Sequence, residues 1–209
     1  MIDLALITFT TLFATVSPID TAAVFAALTA NLPGRQRAVM AIRGTAIATL
    51  ILLAFAFFGD FILGRLGVTL DALRIAGGIL LLLIAIDMVF GRHSTASGTT
   101  AEEAAEAATR TDISVFPLAT PFIAGPGAMG AMILLVGNVE GDIAKQSVVI
   151  GVMLGVMVVT LCALLLAAQV QRLLGVTAIN VIARVFGVLL AALAVQFMIN
   201  GIRGIGALG

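Results

Sequence analysis

The sequence predicts an all-α integral membrane protein, with six transmembrane helices arranged as two inverted three-helix repeats and helices 1 and 4 broken at mid-membrane. Three observations predict it. Of 209 residues, 61% are hydrophobic and only 11% charged, and the mean hydropathy is +1.21; a soluble domain carries about 25% charged residues. Several apolar runs reach the roughly 20 residues that a helix needs to cross a bilayer. Two stretches, "ATVSPIDTAAVF" (14–25) and "PLATPFIAGPGAM" (117–129), set proline, small and polar residues inside such runs.

The elements follow in order. The first run, Leu4 to Thr29, contains Pro18, and the polar link "NLPGRQR" ends it. The second spans Ala38 to Phe58 and the third Leu70 to Phe90. Residues 91–112, "GRHSTASGTTAEEAAEAATRTD", form the one long hydrophilic stretch; charge and small residues predict a loop with at most a short surface helix. The fourth run, Ile113 to Val136, holds Pro117, Pro121 and Pro126; the fifth covers Val148 to Val170 and the sixth Ala178 to Ile202. The chain thus divides into a first repeat (1–90), the loop (91–112) and a second repeat (113–209), all within one membrane domain.

The repeat rests on shared spacing. "RLGVTLDALRIAGG" and "RLLGVTAINVIARVFG" both place Gly-Val-Thr ahead of a helix, then an arginine followed three residues later by glycine (Arg74 and Gly77; Arg184 and Gly187). Each half also opens with a proline break, at Ser17-Pro18 and Thr120-Pro121. An odd number of spans per half inverts the second copy. Arg35, Arg37, Arg43, Arg92, Arg110, Arg172 and Arg184 gather on one side, against Arg65, Arg74, Lys145 and Arg203 on the other. The richer side is assigned to the cytoplasm, which leaves both termini outside in a multi-pass protein of the cell (inner) membrane. "MIDLALITF" lacks the basic start of a signal peptide and reads as the first helix itself.

Composition narrows the chemistry. Net charge is zero, with no Trp, no Tyr and no basic stripe, so nothing suggests nucleic acid. Cys162 is the only cysteine and His93 the only histidine; a thiol relay and a transition-metal site are both disfavoured, and no cofactor is expected beyond a coupling ion, H⁺ or Na⁺. No nucleotide-binding loop is present, and no nucleophile–base pair suggests an enzyme. The breaks carry the functional signal. A proline frees backbone groups that cost several kcal/mol in hydrocarbon unless protein or a polar cavity satisfies them. Half-helix N-termini suit a carboxylate and unwound carbonyls suit an ammonium group or a cation, so two breaks meeting at the midplane would build a site for a small zwitterion. For Pro18 alone a simple kink and a functional break are equally open readings; a simple kink is harder to sustain for "TPFIAGPGAMG" (120–130).

Asp20 lies inside an apolar run, where a charge costs about 2.5–3.5 kcal/mol on insertion scales. It is expected to bind the substrate ammonium or carry the coupling proton, unless simple solvation near the surface accounts for it. Arg74 and Arg184 are interfacial anchors by snorkelling, or else pair with Asp20 or Asp87 or gate the cavity. Asp87, Gln196 and Asn200 read as interfacial, capping or interhelical groups. "GVMLG" (Gly151 to Gly155) has small-xxx-small spacing, which serves either the fold or contact with a second copy in a homo-oligomer.

At "PLATPFIAGPGAM", "LRIAGGILLLLIAI" and "VQFMINGI" the chain closely resembles the MarC-related family of six-span membrane proteins, from the first helix to the last and sparing only the long loop. The resemblance implies a secondary transporter of small neutral amino acids of glycine or alanine size, coupled to a proton or sodium gradient; a channel or exporter of another small solute is the alternative. It carries over Ser17, Pro18 and Thr21 from the first motif and Thr120, Pro121, Gly125, Pro126 and Gly127 from the second. The family's first motif opens Asp-Pro or Asn-Pro, then a small residue and Gly-Asn. This chain reads Ser17-Pro18-Ile19-Asp20-Thr21, with its acid after the proline instead of before it.

Overall fold

The structure, a computed structural model, describes residues 1–29, 32–90, 112–139 and 141–206; for 168–180 and a few other positions only the backbone is described. All regular structure among them is helical: α1 (Ile2–Val16), α2 (Pro18–Leu28), α3 (Gly34–Leu66), α4 (Leu70–Phe90), α5 (Ser114–Ile123), α6 (Pro126–Gly137), α7 (Ile143–Leu165) and α8 (Ala167–Gly204). Five stretches are long and apolar enough to cross a membrane: Ile2–Ala26, Gly34–Gly59, Leu70–Phe90, Ile143–Leu165 and Arg184–Gly204. The expected fourth span is two shorter pieces instead, α5 and α6. The link foreseen between the fifth and sixth runs shrinks to one turn at Leu166, because α8 begins at Ala167. The predicted loop over 91–112, with Arg92, His93 and Arg110, lies outside the described residues except for Asp112.

α4 and α8 pack along their length in opposite directions. A Cβ on Gly78 would stand 2.7 Å from the Ala194 carbonyl, one on Gly187 would stand 2.9 Å from Met88 Cβ, and one on Gly201 2.6 Å from the Asp71 carbonyl. Glycine lets these backbones approach without a side chain between them. Around this pair, α1 packs on α7 and α5 on α3, α2 packs on α7 and α6 on α3, and α2 packs on α8 and α6 on α4. α3 also meets α7.

The interior is apolar, with Leu12, Phe25, Leu52, Leu81, Leu118, Met132, Met153 and Leu190 fully buried. Thr29 and Thr160 enter it by returning their hydroxyls to the Phe25 and Val156 carbonyls of their own helices, while the buried hydroxyls of Thr8, Thr11 and Thr45 make no hydrogen bond among the described residues. At one end of the bundle Asp112 receives the Ser114 hydroxyl and, at 2.9 Å, the Ser114 N–H, with Arg43 3.7 Å away. These two bonds, more than the arginine, hold its carboxyl below the usual range, against a smaller opposing effect of desolvation. At the other end Asp142 caps α7 through the Lys145 N–H and pairs with the Lys145 ammonium at 2.9 Å.

Candidate functional site

The first interruption is a single residue. Ser17 takes a left-handed conformation (φ 44, ψ 66), uncommon outside glycine, and interrupts the helix between α1 and α2. Pro18 has no N–H, so the carbonyl one turn before it, that of Ala14, loses its helical donor. Ser17 Oγ supplies a replacement at 2.7 Å. The Val16 carbonyl receives Thr21 Oγ1 at 3.0 Å, and the Thr21 N–H bonds the Ser17 carbonyl at 2.9 Å to start α2. The hydroxyls of Ser17 and Thr21, expected to face substrate, are therefore engaged in mending the main chain.

The second interruption is longer. In α5 the Leu118 N–H reaches the Ile113 carbonyl and the Ala124 N–H that of Ala119, five residues back instead of four. This is the wide π winding that extra residues in a helix produce. Phe116 (φ -130, ψ 127) and Thr120 (φ -137, ψ 125) are extended, and Gly125 (φ -78, ψ 171) as well. Each precedes a proline; for Thr120 and Gly125 the proline Cδ pushes the neighbour out of the helical region, whereas the Phe116–Pro117 peptide bond is cis. α6 then opens at Pro126, with the Met129 N–H on the Gly125 carbonyl.

Pro18 and Pro126 each occupy the first position of the helix that follows a break, where a missing N–H costs nothing. Pro126 thus shares the local setting of Pro18, while Pro121, paired with Pro18 from the sequence, lies one turn earlier inside α5. The breaks are neighbours. Gly127 lies against Ile84 and Thr15, its would-be Cβ 3.9 Å from Thr15 Cγ2, so the start of α6 abuts the end of α1. α2 in turn contacts α5.

A narrow crevice opens at the first break. Ser17, Pro18, Ile19 and Asp20 form one wall, and Phe13, Met88, Ile182 and Phe186 the other. Asp20 is half-buried there. None of Thr120, Gly125, Pro126 or Gly127 lines it, so the nine expected binding residues fall into two adjoining groups instead of one cradle. Phe186, Met88 and Ile182 were invisible as site residues because an apolar side chain on a spanning helix carries no mark of facing a crevice. Phe13 stacks on Phe186 with ring centroids 4.5 Å apart, which fixes that wall.

Neither Arg74 nor Arg184 pairs with Asp20 or Asp87 among the described residues. Arg74 Nη1 pairs with Asp71 Oδ1 at 2.5 Å and its Nε donates to Asn138 Oδ1 at 2.8 Å. Asp87 stands on the same helix about 20 Å further along, beyond any reach of Arg74. Arg184 is exposed and makes no hydrogen bond or ion pair among the described residues. Asp87 is half-buried near the end of α4. Gln196 Nε2 donates to Asn200 Oδ1 within α8, an intrahelical bond on an exposed face. Gly151 and Gly155 are exposed with nothing within 4 Å of a Cβ, so that motif does not serve packing within this chain. No cluster of potential metal ligands exists among the described residues.

Relatives share this whole arrangement of sequence. A UPF0056 membrane protein of Methanocaldococcus jannaschii is 39% identical over 199 residues, covering 95% of this chain and 96% of its own. The UPF0056 membrane protein YhcE of Escherichia coli is 36% identical, covering 94% and 91%, and YvbG of Bacillus subtilis is 33% identical, covering 94% and 92%. No solved structure matches the chain. The family model described as MarC family integral membrane protein matches residues 3–206, and with both breaks and the long apolar helices inside that match, the chain belongs to the MarC family of integral membrane proteins.

Proposed function

We propose that this protein is a secondary transporter of small neutral amino acids of glycine or alanine size, working by alternating access on a proton or sodium gradient. It acts as a carrier and not as an enzyme. The observation that carries the reading is the opening of Asp20 onto a small crevice at a helix break that adjoins a second break. The N-terminal turns of α2 and α6 present amides to a carboxylate, and Asp20 presents the opposite charge to an ammonium group.

Support for six passages in two inverted repeats comes from the packing pattern. Exchanging α1 with α5, α2 with α6, α3 with α7 and α4 with α8 turns most of the principal contacts into one another. The α4–α8 pair is antiparallel, as inversion requires, and Ser17 falls midway along the Ile2–Ala26 apolar stretch. In this reading α5 and α6 together make the fourth passage. The end carrying Arg35, Arg37, Arg43 and Arg184 faces the cytoplasm of the inner membrane and both termini lie outside.

Reconstitution in liposomes with labelled glycine or alanine under an imposed proton or sodium gradient tests it. Saturable, gradient-driven accumulation is expected, and Asp20→Asn should abolish it or erase its pH dependence. Flux that never saturates would replace the carrier with a channel.

A further inference from the structure

We infer that Thr8 and Thr11 on α1 line a polar route for a hydrated monovalent cation, a proton on water or sodium. The route joins the helix breaks to the membrane face on the N-terminal side. The inference rests on the gradient-driven reading and adds where the driving ion travels.

Position comes first. Thr8, Thr11 and Thr15 follow one another at spacings of three and four, which sets them in one row on one face of α1. Thr8 and Thr11 are wholly buried, and α1 packs against α6, α7 and α8. The row covers about 10 Å of helix within the Ile2–Ala26 apolar stretch. Its inner end meets both breaks. Thr15 Cγ2 stands 3.9 Å from the would-be Cβ of Gly127 at the start of α6, and Ser17 follows two residues later.

Chemistry singles out two of the three. A threonine hydroxyl inside a helix has an acceptor at hand, the carbonyl one turn back. Thr15 Oγ1 uses that of Thr11 at 2.9 Å, Thr29 that of Phe25 and Thr160 that of Val156. Thr8 and Thr11 stand in equally regular helix, yet neither hydroxyl has a partner among the described residues. The buried side chains of α6 carry no oxygen or nitrogen, and those of α7 add only Thr160, whose hydroxyl is already engaged. A buried hydroxyl left alone forfeits stability, and valine would fill the same shape without that loss. What the oxygen adds is a lone pair for water or a small cation, without the tight hold of a carboxylate. The third such hydroxyl, Thr45, is on α3 and outside this row.

Silver ion, a thiophilic monovalent cation comparable in size to sodium, reports the route without any solute. In a Cys162→Ser background, Thr8→Cys, Thr11→Cys and Leu12→Cys place thiols at three fully buried positions of one helix. Sealed vesicles are exposed to silver and then denatured, and the thiols still free are counted with maleimide. Thr8→Cys and Thr11→Cys should be consumed at least about tenfold faster than Leu12→Cys, since an ion enters dry hydrocarbon only at high cost. Equal rates overturn the route. Slowing by excess sodium but not by potassium supports the route with sodium as its ion; indifference to both supports it with the proton. Thr8→Val and Thr11→Val should lower gradient-driven glycine accumulation roughly tenfold, the scale of a hydrogen bond to a charged group, without lowering the unfolding temperature. Thr11→Ser should keep accumulation near the wild-type level. Thr160→Val, which loses a bonded hydroxyl, should lower the unfolding temperature. A matching fall in Thr8→Val and Thr11→Val makes the row structural and overturns the inference. Glycine uptake with equal silver rates overturns the route and leaves transport standing. Fast consumption without uptake by the wild type supports the route and overturns the amino-acid substrate.

Discussion

Ser17 and Thr21 show how a break is tolerated in an apolar setting. Their hydroxyls occupy the carbonyls of Ala14 and Val16 that the Pro18 interruption frees. Ser17→Ala and Thr21→Val should each lower stability by about 1–3 kcal/mol, the cost of leaving a buried acceptor unmet, as read by thermal unfolding in detergent. If substrate contact were their main role, uptake would fall while the unfolding temperature held. Asp112 makes a different prediction. Its carboxyl is held below the ordinary value mainly by the Ser114 hydroxyl and N–H, so its ionised form favours the folded chain. That contribution is fully present above the unfolded value near 4 and is lost as pH falls through the lower folded value. In Asp112→Asn the acid limb of a stability–pH curve should flatten, and an unchanged limb would remove Asp112 from the account. Ser17's identity was legible in the sequence, but its task was not: a hydroxyl before a proline looks the same whether it serves a solute or a carbonyl.

Among the elements, the α4–α8 contact is the most constrained. A side chain on Gly78 would meet the Ala194 main chain, which cannot rotate aside. Gly78→Val should therefore destabilise the protein by more than about 2 kcal/mol through overpacking. Gly151→Val on α7, where no atom lies within 4 Å, should be close to neutral. A large cost at Gly151 would instead reveal a neighbouring chain on that face. The glycines of the Arg-x-x-Gly spacing, Gly77 and Gly187, both lie at close helix contacts, because glycine spacing records close packing directly. The proline breaks were located as well, but which proline opens the second helix was not. Three prolines within ten residues compete for one role, and only the backbone shows that Pro126 opens the helix while Thr120 merely yields to the proline after it.

For the whole molecule, composition and apolar runs were enough to establish a helical membrane protein. What they could not convey was which walls face each other. The crevice joins residues from α1, α2, α4 and α8, and a jointly lined zwitterion site gave way to two adjoining groups. The two interruptions also differ in how they are sustained. The first is mended by hydroxyls from its own strand of chain. The second, α5, closes its wide turns through main-chain bonds and leans on α3, where Gly44 admits Leu118 and the Ser114 carbonyl. An opening left unsupported in hydrocarbon is costly, so a nascent α5 has no stable berth until α3 is already standing. The ribosome makes α3 first, so the helix that α5 leans on precedes it, whereas α1 and α2 pack on α7 and α8, which come later in the chain.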